Sequence, residues 1–195
     1  MKISDLCQVR SGTSFSQKVQ NVENGDFWVM ESKCAKSDGS IDLSELTFAS
    51  LQQLPMPNNW LTDQSIVIRG KGGSHQALLF EDAGIDLPIF ATSYFLILTL
   101  KDTTNTSPKF LTWLINQPIY QEQLKSLASG TTVQHLTKKK FLNFELTLPT
   151  LDKQKKLLEL ASLMVQEKQL VKDLEELRQE YYQSLISNFM EPKNG

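Results

Sequence analysis

The chain has 195 residues, 40% of them hydrophobic and 22% charged, with a formal net charge of −2. That length supports one sizeable core plus an appendage rather than two full domains with a linker, and that composition excludes a disordered chain. With 20 Lys+Arg against 22 Asp+Glu, indiscriminate coating of nucleic acid is excluded too, because it needs an excess of positive charge; a local basic face remains compatible with the count. The longest apolar run, from Phe90 to Leu100, contains Thr92 and Ser93 and falls far short of the ~20 residues of a membrane span. The opening Met1-Lys2-Ile3-Ser4-Asp5 lacks a signal-peptide hydrophobic stretch. Cys7 and Cys34 follow no metal spacing and read as reduced thiols of a cytoplasmic protein.

In chain order, Ser4 to Val9 predicts a short capped helix that stops at Gly12, and Phe27–Met30 predicts a strand. Leu51 to Asn59, with Pro55 and Pro57, reads as loop. Ser65–Ile68 and Ala77–Phe80 read as strands joined by a glycine-rich turn from Arg69 to His75. Tyr94–Leu100 is the strongest strand, rich in aromatic and β-branched residues. After the polar loop Lys101–Ser107, Pro108 suits a first helical turn, and Phe110, Leu111, Leu114 and Ile115 recur at helical spacing. Pro118 breaks that helix, which restarts, runs to Leu127 and is ended by Gly130. Thr137 caps a short basic helix, Lys138–Leu142, and Phe144–Pro149 is a closing strand. The fold class is α+β, with a domain over residues 1–150.

From Asp152 to Phe189 there is neither Gly nor Pro. The reading is one helix of about 38 residues, ~57 Å long, within a spacer spanning 151–190, before a flexible tail at 191–195. Leu160, Leu163, Glu167, Leu170, Leu174, Leu177 and Tyr181 alternate steps of three and four, a heptad seam broken once by Glu167. Leu157, Ala161, Met164, Val171, Leu185 and Phe189 add a second apolar row. A stripe this wide implies a partner helix and a homodimer through that seam; the competing reading folds the helix back on its own domain.

The order of these pieces resembles the specificity subunits of type I DNA restriction–modification systems. In that family a target-recognition domain ends in a helix, a Gly-Thr-Thr turn, a polar stretch and a strand closing on Leu-Pro. A glutamine-containing helix start and a coiled-coil spacer follow. Here the match runs from Leu114-Ile115-Asn116-Gln117 through Gly130-Thr131-Thr132 to Leu148-Pro149, and on to Asp152-Lys153-Gln154. The opening Val9-Arg10-Ser11-Gly12-Thr13 and the Ile66–Gly70 strand with its turn match as well. One departure is that full-length members carry two recognition domains and two spacers, whereas this chain has one of each. It reads as a half-subunit form, natural or a piece of a longer chain. A second departure is Lys153, where the family often has Glu. The resemblance implies double-stranded DNA as ligand, a methyltransferase subunit docked on the coiled coil, and through it a restriction/translocase subunit. No cofactor is implied for this chain, since S-adenosylmethionine, ATP and Mg would belong to the partners.

For DNA contact the candidates are Arg69, Lys71, Ser74 and His75 on the glycine-rich turn, Thr131 and Thr132, and Lys138, Lys139 and Lys140. Gly70, Gly72 and Gly73 permit close backbone approach to phosphate, although an ordinary hairpin accounts for them equally well. The turn is not a nucleotide P-loop, because the Gly-Lys-Ser/Thr that would follow is missing. The only histidines, His75 and His135, lie in no nucleophile motif. No methyltransferase Asp/Asn-Pro-Pro-aromatic motif and no two-histidine, one-carboxylate metal motif occurs. The reading is therefore a non-catalytic subunit with no metal site. The competing class is a non-DNA protein-interaction adaptor that dimerises through its C-terminal helix, mildly favoured by the acidic balance.

Overall fold

Runs of β-branched and aromatic residues too short for helices dominate the first unit, Met1–Thr150, whereas the second, Leu151–Gly195, is helical over Leu151–Met190. A computed structural model describes residues 1–16, 18–50, 59–82, 84–130 and 134–190. The loop expected at Leu51–Asn59 is described only at Asn59, and the tail 191–195 lies outside the described residues.

Among the described residues the first unit contains seven strands: β1 (Cys7–Ser11), β2 (Phe27–Met30), β3 (Thr47–Ala49), β4 (Ile66–Arg69), β5 (Ala77–Leu79), β6 (Ile89–Ala91) and β7 (Phe95–Leu100). Its helices are α1 (Ile3–Leu6), α2 (Pro108–Ile115), α3 (Pro118–Leu127) and α4 (Lys138–Leu142). One sheet has the order β1-β7-β4-β5 with every neighbour antiparallel. The other has the order β3-β2-β6, with β2 antiparallel to β3 and parallel to β6. β4 and β7 are buried on consecutive residues, Ile66-Val67-Ile68 and Phe95 through Leu98, so both faces of the first sheet are covered. Met30, Val67, Leu78, Phe95 and Ile97 form one core cluster, and Phe27, Val29, Ala49 and Phe90 form another. In the second cluster the Phe27 and Phe90 rings meet edge to face, 5.3 Å apart.

The structure bears out the mixed architecture and the β4–β5 hairpin, and it corrects several elements. The first helix is one turn, and Cys7–Ser11 pairs with β7 from Cys7 opposite Leu100 to Ser11 opposite Leu96. Cys7 and Val9 are buried and alternate with Gln8 and Arg10, a period of two rather than of 3.6. Gly12 is required at the end of that strand, because a Cβ there would lie 2.1 Å from the Thr92 carbonyl oxygen. The expected closing strand at Phe144–Pro149 is reduced to a single bridge between Glu145 and Lys2. Two backbone bonds flank that bridge, Ile3 N to Phe144 O at 2.8 Å and Leu146 N to Met1 O at 2.9 Å. Helix α3 ends at Leu127 with Ala128 extended, so Gly130, at φ 123°, belongs to the following loop rather than to the cap.

In the second unit, α5 (Leu151–Met190) is 40 residues long, or ~60 Å. Gln154 is the one buried residue along it. Among the described residues no helix is long and apolar enough to cross a membrane.

Candidate nucleic-acid interface

The turn between β4 and β5 is held from two sides. Gly70 N donates to Tyr94 O at 2.8 Å, anchoring the turn to the start of β7. Gly72 N donates to Gln134 O at 3.0 Å and Leu136 N to Gly70 O at 2.8 Å, so Lys71 and His135 form an antiparallel bridge. Gly72 sits at φ 103° with the Tyr94 hydroxyl 3.1 Å from where a Cβ would be, a position open to glycine. His135 also pairs with Ser129, closing the loop that follows α3. One residue beyond Leu136, Thr137 caps α4, its hydroxyl accepting from Lys140 N at 3.3 Å. The hairpin turn is thus joined by main-chain bonds to Gln134–Leu136, the residues that lead directly into the basic start of α4, so that two segments far apart in sequence meet at one surface.

On that surface Lys71 is half-buried, and Gly73, Ser74, Lys138 and Lys139 are exposed. Lys140 is committed, since its Nζ donates to Leu127 O at 2.7 Å and so satisfies a carbonyl at the end of α3. Thr131 and Thr132 lie outside the described residues. The ion pairs among the described residues join Lys33 to Glu45, Lys36 to Asp42 and Glu45, and Lys172 to Glu176. The interface lysines take part in none of them.

Arg69 and His75 are placed inward, against the expectation that they reach outward. The Arg69 guanidinium donates to the carbonyls of Ala35 and Lys36, and its Nε is buried without a partner among the described residues. Beside it, Gln76 Nε2 donates to Ser37 O at 3.2 Å. His75 is fully buried. Its Nδ1 lies 2.8 Å from the Arg69 carbonyl, which can only accept, so Nδ1 carries the proton and Nε2 is a buried acceptor without a partner among the described residues. Burial pushes the imidazole pKa down, and His135 and Lys125 nearby add to the effect. The helices grip the same hairpin: Gln121 Nε2 donates to His75 O at 3.1 Å. The Asn116 amide both accepts from Ala77 N at 2.8 Å and donates to Ala77 O at 2.7 Å, standing in for a strand partner on the open edge of β5. Sequence reasoning took Asn116 only as part of the stretch that resembles the family and passed over Gln121. Two amide side chains flanking a proline break were the available signal.

Both cysteines are buried, and burial pushes the Cys7 thiol up to about 12 and that of Cys34 upward, which keeps them protonated at neutral pH. Among the described residues no cluster of three or more His, Cys, Asp or Glu is placed to hold a metal ion. On α5, Leu160, Leu163, Leu170, Leu174, Leu177 and Tyr181 are between 48% and 68% exposed.

Fold and surface together define a class: a small mixed domain with one basic, glycine-lined surface, followed by a single long helix with exposed apolar rows. A family model for the type I restriction modification DNA specificity domain matches residues 1–176, and the chain belongs to that family. Solved structures share the fold. The S subunit of the type I restriction–modification system from M. genitalium aligns with a TM-score of 0.56 at 17% identity, over 96% of this chain and 45% of its own. A chain described for complex assembly and conformational transition of the type I R-M system aligns at 0.62 and 17%, over 96% and 42%. The HsdS subunit from Thermoanaerobacter tengcongensis aligns at 0.59 and 15%, over 86% and 37%. This chain therefore spans less than half the length of these relatives. No curated protein matches it.

Proposed function

We propose that residues 1–150 read one half of a bipartite sequence in double-stranded DNA, and that α5 is the spacer on which the complex assembles. The observation that carries this reading is the joining of Lys71, Ser74 and the Lys138–Lys139 helix start into one surface. Its lysines have no carboxylate partner among the described residues. A chain of net charge −2 can contact phosphates when its cations are gathered and unpaired in this way. Lys71, Lys138 and Lys139 act as phosphate contacts, whereas Ser74, at the exposed tip, reaches base edges. Arg69 and His75 position the turn from within. No group in this chain performs catalysis. S-adenosylmethionine, ATP and Mg act in a methyltransferase subunit docked on α5 and in the restriction/translocase subunit recruited through it.

The helix itself supports pairing with a second copy. Its first turns carry Lys153, Lys155 and Lys156, and its C-terminal half carries Asp173, Glu175, Glu176 and Glu180. With Asp152 in the first turn and Lys172 and Arg178 in the C-terminal half counted, the start of the helix is still net basic and its C-terminal half net acidic. An antiparallel second copy sets basic ends against acidic ones and buries the Leu160-to-Leu177 seam. Two readers on such a spacer can sit more than one duplex turn, ~34–36 Å, apart. The test is a DNA-binding titration of the assembled complex at several salt concentrations, comparing wild type with Lys71→Ala and Lys138→Ala.

A further inference from the structure

The β4–β5 hairpin has two ends. The end away from Lys71 opens into a groove of about 480 Å³ lined by Trp60, Leu61, Ile85, Leu87 and Pro88, with Thr62, Asp63, Asp82 and Asp86 at its margin. Four large apolar side chains are exposed among the described residues of the first unit, namely Met1, Trp60, Leu87 and Ile119. Two of the four meet in this groove, which is clustering rather than scatter.

The rim is anionic and fixed. Asp63 Oδ1 accepts from Asp82 N at 3.0 Å, and Asp82 Oδ1 accepts from Gly84 N at 3.0 Å, which aims both carboxylates. Gln64, at φ 62°, turns the chain between Asp63 and β4. None of the three aspartates is in an ion pair among the described residues. Neither Lys nor Arg occurs between Lys36 and Arg69 or between Lys71 and Lys101, so the segments that build the groove contain no cation of their own. A charge of opposite sign beside Trp60 is Arg10, whose Nη2 lies 3.5 Å from Trp60 O and whose Nε is buried; it sits outside the groove lining.

We propose that this groove docks a protein segment carrying arginine beside an apolar side chain. The indole of Trp60 and the aspartates attract guanidinium, by cation–π contact and by charge respectively, while Leu87, Ile85 and Pro88 cover the apolar neighbour. Nucleic acid is the wrong occupant, because its phosphates meet three carboxylates. A small polar ligand is a poorer fit, since among the described residues no buried, unpartnered polar atom belongs to the groove lining. Lying at the far end of the hairpin from Lys71, the groove leaves DNA and the docked segment free to bind together. This inference is independent of the DNA reading.

The full chain is titrated into a fluorescein-labelled short peptide alternating arginine and leucine, and into the same peptide with glutamate for arginine, with anisotropy as readout. Wild type binds the arginine peptide, with affinity falling as salt rises, and ignores the glutamate peptide. Asp86→Lys, on an exposed side chain, weakens binding about tenfold or more, and Leu87→Ser weakens it at high salt as well. Circular dichroism establishes that both variants are folded, and a DNA titration of the assembled complex is unchanged by either. The proposal is overturned if the arginine peptide does not bind, if it binds both variants as it binds wild type, or if the glutamate peptide binds equally.

Discussion

At the scale of single residues, what a side chain touches separates positioning from contact. Arg69 and Lys71 are two positions apart and both half-buried, yet the Arg69 guanidinium is committed to the carbonyls of Ala35 and Lys36, whereas Lys71 has no ion pair among the described residues. Arg69→Ala removes donors from Ala35 and Lys36, so it should lower thermal stability by the ~1–3 kcal/mol of a lost buried partner and leave the salt dependence of DNA binding intact. His75 gives a pH signature. Its pKa is depressed in the folded state by burial, so the unfolded chain binds the proton more tightly. The neutral-form contribution is fully present above the ordinary histidine pKa of about 6.5 and is lost as pH falls below it, until the folded value is passed. Unfolding midpoints in denaturant measured from pH ~7 down to ~5 should therefore fall more steeply for wild type than for His75→Gln. Equal slopes would remove the buried neutral imidazole from the account. Gly12→Ala drives a Cβ into the Thr92 carbonyl and should destabilise by ~3 kcal/mol or more, read from the same midpoints.

Elements of the fold were legible where a local pattern was strong. The β-branched run Ile66–Ile68, the glycine turn and Ala77–Leu79 marked a hairpin, and Pro108 with Pro118 marked two helices, as observed. The three-residue strands β3 and β6 were not legible, because three residues display no period and their pairing is set by β2 from afar. β1 was hidden for another reason: the real helical turn α1, whose Asp5 accepts from Lys2 N, runs directly into it at Cys7, and the alternation of Cys7, Gln8, Val9 and Arg10 is short. The candidate surface was legible in parts and not as a whole. Lys71 and Lys138 stand out by type, but the bridge from Lys71 to His135 joins backbone to backbone and leaves no trace in side-chain identity. Helix α5 carries its own prediction. Leu170→Lys with Leu174→Lys places charge in the exposed seam and should convert a dimer to a monomer in sedimentation with helicity retained. A wild-type chain that stays monomeric at micromolar concentration, alone and with the proposed methyltransferase subunit, would contradict pairing through this face.

For the whole molecule, the near-neutral charge conceals a division of labour. Cations are gathered at one end of the β4–β5 hairpin and carboxylates rim the other, so one small domain offers a surface suited to phosphate and another suited to basic protein. The acidic overall balance, which by itself favoured a protein-interaction adaptor, is in part the signature of that second surface. The central claim remains that the Lys71–Lys138 surface reads DNA, and the most direct measurement is the salt dependence of DNA binding by the assembled complex. The account predicts that Lys71→Ala and Lys138→Ala each lower the slope of log K against log[salt] by about one unit and weaken all sequences alike, and that Ser74→Ala relaxes selectivity at one position. Folded, assembled variants that keep the wild-type slope and selectivity would contradict it.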